Sequence, residues 1–86
     1  MPQIELLGLA RRYAGVEKLF VSGTTLEQVL CEIHTHCPPF AAHCTGAELL
    51  PRGLIACVNE RRFTSDLSEP ILPDDRILIL SADVGG

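Results

Sequence analysis

The 86-residue chain closes on Val84-Gly85-Gly86, residues suited to chemistry on a backbone carboxylate. Glycine has no Cβ, so it packs nothing and loosens a strand end. Two in succession offer a thin, unbranched backbone that threads a narrow channel and presents a bare α-carboxylate to another protein. The plain alternative is a frayed end of small residues, which termini often are. Asp83 is placed to orient such a tail against a basic partner residue, or is simply solvated. A second concentration of reactive side chains comprises Cys31, His34, His36, Cys37, His43 and Cys44, all within 14 residues. Zinc takes such ligands, usually as two close pairs. No Cys-x-x-Cys occurs, however, and helical spacing sends the side chains apart: Cys37 extends an apolar stripe, Cys31 lies nearly opposite, and His34 falls between. Packed or solvated side chains are expected, with no metal. Cys57 reads as core, and a sulfur-handling role for Cys44 is the lesser reading.

The elements that must position the terminal residues divide cleanly. Residues 77–80, Ile-Leu-Ile-Leu, form the most apolar run and read as a buried strand leading into the tail. Residues 4–10 read as a central strand with apolar residues on both faces, residues 11–15 as a turn ending at Gly15, and residues 16–21 as an antiparallel second strand. Thr24-x-x-Glu27 and Thr25-x-x-Gln28 both fit a helix capping box. Leu26, Val29, Leu30 and Ile33 follow as one apolar stripe, so a helix is predicted over 26–36, stopped by Pro38-Pro39. Residues 38–53 read as irregular. Residues 54–58 read as a third strand, Asn59-Glu60 as a turn, residues 61–63 as a short fourth strand and residues 64–76 as a polar connection. The long connection allows the last strand to lie parallel to the first, with the helix across one face. The fold class expected is α+β, a β-grasp with a mixed sheet of four to five strands and one main helix. Residues 1–80 form the domain and 81–86 a flexible tail.

Composition narrows the function. A chain of this size buries roughly 60–65% of its unfolded surface, enough for one core and too little for a deep catalytic cleft. With net charge −4, a pI near 5.2 and no basic run longer than a pair, no nucleic-acid or anionic-membrane partner is expected. Acidic residues gather late, at Asp66, Glu69, Asp74, Asp75 and Asp83, where they would steer a basic surface. No charged n-region followed by an apolar stretch opens the sequence and no apolar run approaches membrane-spanning length, so neither a signal peptide nor a transmembrane helix is expected. Four cysteines in such a chain read as reduced thiols, which points to a cytoplasmic location.

Several segments, in order, resemble one family. Leu9-Ala10-Arg11-Arg12-Tyr13-Ala14-Gly15 resembles its first-strand exit. Thr24-Thr25-Leu26-Glu27-Gln28-Val29-Leu30 resembles its helix start. Val58-Asn59-Glu60 resembles its Val-Asn-Gly hairpin, and Leu72-Pro73-Asp74-Asp75-Arg76-Ile77 its Leu-x-Gly-Asp-x-Val approach to the last strand. With the terminal Gly-Gly, the chain resembles the small ubiquitin-like sulfur carriers: the molybdopterin synthase small subunit, the thiamine-pathway carrier and their relatives. It departs from them in carrying Glu60 and Asp74 where glycine is usual. It also has Ser81-Ala82-Asp83-Val84 in place of the Pro-Pro-Val of the molybdopterin type, whose length it otherwise shares.

The resemblance implies a carrier and no catalyst. The Gly86 carboxylate, a resonance-stabilised anion, resists sulfur nucleophiles until AMP is transferred to it from ATP. A persulfide or sulfide then displaces AMP and leaves a thiocarboxylate. No Gly-x-x-x-x-Gly-Lys loop occurs, so ATP falls to the partner and this chain holds no cofactor. Implied partners are a ubiquitin-activating-type adenylating enzyme, a persulfide sulfur donor and, for the molybdenum cofactor pathway, a large synthase subunit. Gly85, Val84 and Asp83 would be recognised along the tail, and Leu78, Leu80, Asp74 and Asp75 on the partner-facing surface. A thiamine-type carrier, or a ubiquitin-like modifier conjugated through Gly86, shares the same adenylate.

Overall fold

Alternation within the last strand decides the architecture. In β5 (Arg76–Ser81), Ile77 and Ile79 are buried while Leu78 and Leu80 are half-buried, so one face meets a core and the other does not. Strand β1 (Gln3–Leu6) lies parallel to it, with Ile4 opposite Ile77 and Leu6 opposite Ile79. The structure, a computed structural model, describes residues 1–82. Asp83, Val84, Gly85 and Gly86, which the sequence marks as the tail, lie outside the described residues.

Five strands form one mixed sheet in the order β2-β1-β5-β3-β4. Strand β2 (Lys18–Phe20) pairs antiparallel with β1; β3 (Leu54–Val58) pairs antiparallel with β5 and with β4 (Arg62–Thr64). The expected parallel pairing of first and last strands is present, and so is the expected helix, α2 (Leu26–His36). Thr25 caps it, its hydroxyl accepting from the Gln28 amide at 3.3 Å, and the Gln28 side chain reaches back to accept from the Thr24 amide at 2.8 Å. Leu26, Val29, Leu30 and Ile33 are fully buried beneath it against Ile4, Leu6, Ile77 and Ile79.

Two short helices correct the sequence reading. The expected strand over residues 4–10 ends at Leu6, because Gly8 adopts φ +53 and the chain then coils into α1 (Leu9–Ala14). Ala10 and Ala14, four apart, are its buried side, whereas Leu7 and Leu9 are partly exposed. Gly15 is therefore no turn between strands. It is a left-handed C-cap at φ +79, its amide donating to the Arg11 carbonyl at 2.8 Å. The stretch expected to be irregular opens with α3 (Pro38–Ala42). Pro38-Pro39 ends α2 and also begins this helix, where a missing amide costs nothing. Strand β5 also reaches Ser81, paired with Leu54, and the Ala82 amide donates to the Gly53 carbonyl at 2.7 Å. The folded body thus extends beyond the expected boundary at residue 80.

The β3–β4 hairpin turns through Asn59 at φ +55 and Glu60 at φ +58, with the Arg61 amide donating to the Val58 carbonyl. Both central residues at positive φ is the arrangement of a type I′ turn, which suits Asn at the first and Gly at the second. Glu60 carries steric strain there that its exposed contact with Arg76, at 3.5 Å, offsets little. Replacing it, Glu60→Gly, is expected to stabilise the domain by about 0.5–1 kcal/mol, the left-handed penalty less glycine's entropy cost. A higher urea midpoint at unchanged m is the measurement; no rise would mean the turn is unstrained.

Candidate functional site

Register carries the apolar side chains of β5 across the sheet face away from α2. Leu78 stands opposite Cys57, which stands opposite Phe63; Leu80 stands opposite Ile55. Residues directly opposite share a face, so Leu78, Leu80, Ile55, Cys57 and Phe63 form one patch. Phe63 is 63% exposed, and Leu78, Leu80 and Ile55 are half-buried. Leu78 and Leu80 were legible in the sequence by alternation. Phe63 and Ile55 were not singled out, although the same two-residue period places them once the hairpin register is known. Charge borders the patch: Arg76 stands 3.7 Å from Glu5 and 3.5 Å from Glu60.

The described part of β5 ends beside a hollow of about 140 Å³ lined by Leu7, Gly8, Leu80 and Ser81. The patch and the start of the C-terminal segment are therefore adjacent, because both belong to β5. Asp83, Val84, Gly85 and Gly86 lie beyond the described residues.

Asp74 and Asp75 part company. Asp74 is exposed. Asp75 is only 9% exposed, and both carboxylate oxygens are engaged: one accepts from the Asn59 side-chain amide and the other from the Leu72 backbone amide, each at 2.8 Å. Asn59 completes the link by accepting from the Arg76 amide at 2.9 Å and donating its own amide to the Arg76 carbonyl at 2.7 Å. The partner-facing exposure expected of Asp75 is thus corrected to an inward, structural placement. Its carboxylate pins the turn that delivers β5 to the hairpin that frames the patch. Asp75→Ala is expected to destabilise by about 1.5–3 kcal/mol, since hydrogen bonds to a charged group are lost and two donors are stranded. Thermal unfolding checks this: roughly 4–8 °C is lost per kcal/mol in a domain this small.

The cysteine and histidine side chains disperse. Cys37 is buried, Cys31 is exposed on α2, and His43 stacks on Tyr13 with ring centres 3.6 Å apart. His34 Nε2 lies 2.8 Å from the Leu49 carbonyl and 3.6 Å from Cys44 Sγ. Among the described residues, no group of three or more His, Cys, Asp or Glu side chains is placed to hold a metal ion. Burial, and then the Glu48 carboxylate, push the Cys44 thiol above its ordinary pKa. Both effects disfavour its thiolate form. Cys57 is 4% exposed, closed in by the patch around it.

Comparison of the whole fold places it among small β-grasp proteins. A chain of the BexX/CysO complex of Amycolatopsis orientalis superposes with a TM-score of 0.77 at 19% identity, covering 100% of both chains. Small archaeal modifier protein 1 of Methanosarcina acetivorans gives 0.76 at 22% identity, covering 99% of this chain and 95% of that one. CysO of Mycobacterium tuberculosis gives 0.73 at 22%, covering 95% and 99%. No family model and no curated protein matches the chain. At these identities the likeness fixes the fold, and it is the ubiquitin-like β-grasp that the motifs led one to expect. Among the described residues, no helix is long and apolar enough to cross a membrane.

Proposed function

We propose that this chain is a sulfur carrier. A partner enzyme adenylates the Gly86 carboxylate with ATP, and a persulfide donor converts it to a thiocarboxylate that delivers sulfur. The observation that supports this most is the joining of two features in one strand: β5 lies at the centre of a ubiquitin-like sheet, carries the apolar patch, and leads on to Gly85-Gly86. A docking patch and a threading segment in fixed relation are what an adenylating enzyme needs to hold the body outside while the carboxylate reaches the ATP α-phosphate. Leu78 and Leu80, with Ile55 and Phe63, would meet the partner, Asp74 would steer its approach, and Asp83, Val84 and Gly85 would be read along the channel.

The molybdenum cofactor pathway is the first assignment, on the motifs, the chain length and a likeness (TM-score 0.69, 19% identity) to a Pyrococcus furiosus protein described as molybdopterin converting factor, subunit 1. The likeness to an archaeal modifier protein favours conjugation through Gly86 as the second reading. Intact mass of the protein from its native host separates them. Replacement of one oxygen by sulfur at Gly86 marks the carrier, isopeptide-linked adducts mark the modifier, and an unaltered carboxylate in every growth condition would count against both.

A further inference from the structure

Among the described residues, two that are not glycine hold a positive φ: Asn59 at +55 and Glu60 at +58. Side chains persist in that region only where their surroundings or their use hold them there. Asn59 has its reason within the fold. Its side chain donates to the Asp75 carboxylate at 2.8 Å and accepts from the Arg76 amide at 2.9 Å, and asparagine visits the left-handed region readily. Glu60 has no such reason. Among the described residues its carboxylate makes one ion pair, with Arg76 at 3.5 Å, longer than a good hydrogen bond. Both side chains are more than half exposed, so the pair contributes little to stability. Glycine would suit the second position of this turn better.

The place of the carboxylate on the sheet supplies the missing reason. Side chains alternate along a strand, so Arg76 shares its face of β5 with Leu78 and Leu80. Glu5, opposite Leu78, lies on that face too. Arg76 stands between Glu5 at 3.7 Å and Glu60 at 3.5 Å, which sets all three side chains at the border of the patch formed by Leu78, Cys57 and Phe63. Two carboxylates there share one guanidinium. Glu5 is the more enclosed, with 24% of its side chain exposed against 65% for Glu60. Glu60 is therefore the outermost charge, and the corner carries one negative charge in excess. The surface complementary to an apolar patch with an anion on its rim is an apolar surface bordered by a cation.

We propose that Glu60 is a specificity-determining residue of this docking face: it pairs with a basic side chain of the activating enzyme, beside the apolar surface that receives Leu78, Leu80 and Phe63. The strain of the turn is retained because the side chain that causes it is used in the complex. An enzyme lacking the cation would leave the Glu60 carboxylate against apolar surface or a like charge, which disfavours the wrong partner.

The inference deepens the carrier reading and rests on it. ATP–pyrophosphate exchange with the cognate activating enzyme is followed at low salt against carrier concentration. The proteins compared are wild type, Glu60→Gly, Glu60→Gln, Glu60→Asp and Glu27→Gln, the last an equal loss of charge at an exposed position of α2. Glu60→Gly and Glu60→Gln are expected to raise KM about tenfold with kcat unchanged, a paired charge at the interface being lost. The difference is expected to shrink as salt rises. Glu60→Asp, which keeps the charge, is expected to restore most of the loss, and Glu27→Gln to behave as wild type. Glu60→Gly is thus expected to engage the enzyme more weakly while its urea midpoint rises, a combination that a merely structural role does not produce. An unchanged KM in both Glu60 variants, a fall in kcat in its place, or an equal rise with Glu27→Gln would each overturn the proposal. Absence of exchange in every protein, wild type included, would remove the carrier reading and the inference with it.

Discussion

Removal of Gly86 is expected to abolish ATP–pyrophosphate exchange with the cognate activating enzyme, and Gly85→Ala to reduce it by about 100-fold. The reasoning is geometric. Adenylation brings the carboxylate within bonding reach of an ATP α-phosphate while the folded body, stopped by its patch at the mouth of the channel, stays outside. Deletion withdraws the carboxylate by one residue, roughly 3.5 Å. The added methyl of alanine restricts φ and ψ and widens the thread, and a misplacement of about 1 Å costs about 100-fold in rate. Neither change is expected to move the melting temperature, since the pairing of β5 with β3 ends at Ser81 and the last described backbone bond is that of Ala82. Exchange at the wild-type rate in both variants would reduce Gly85-Gly86 to a frayed end and remove the carrier reading.

Phe40→Ala is expected to cost about 3–5 kcal/mol, the range for a fully buried aromatic truncated to a methyl. Phe40 is 0% exposed and the largest fully buried side chain in the molecule's described part. It also meets the edge of His34 at a ring distance of 5.9 Å. Small domains have little stability in reserve, so the loss approaches the whole. Phe40→Leu, expected to lose less, keeps the measurement on scale if the alanine protein does not fold. Phe63→Ala supplies the contrast: with 63% of its surface exposed, it is expected to leave the urea midpoint within about 0.5 kcal/mol of wild type. Equal losses at the two phenylalanines would mean that α3 does not close the core.

The sequence showed most of the frame because its strongest signals are local. The capping residues Thr25 and Gln28, the stripe from Leu26 to Ile33, and the alternation of Ile77 to Leu80 each act over one or two turns or a few residues of strand. Helix α1 was hidden because Leu6-Leu7-Gly8-Leu9 is continuously apolar and reads as strand. Only the spacing of Ala10 and Ala14, with Gly15 after them, marks the coil that follows. Helix α3 was hidden because two prolines announce an ending more loudly than a beginning. The inward placement of Asp75 was beyond reach for another reason: its partner Asn59 is 16 residues away. The two motifs that hold them look like separate turn signals until the sheet brings them together. The patch shared that limit, since Phe63 and Ile55 join Leu78 and Leu80 only through the register of three strands. Asp83 to Gly86 rest on the sequence alone.

The parallel pairing of β1 with β5 has a consequence for biosynthesis. Strand β1 has its central neighbour in a strand made much later, β5, with Gln3 joined to Arg76. Such distant pairing is slow to form and is delayed until β5 is available. During translation Ile4 and Leu6 stay without their partner strand, so nascent chains are expected to resist neither protease nor chaperone capture until β5 emerges. Strand β5 both completes the sheet and leads to the glycines, which makes translation through β5 a condition of folding. A product truncated before or within β5 is then cleared as an unfolded chain before it can occupy an activating enzyme as a defective competitor.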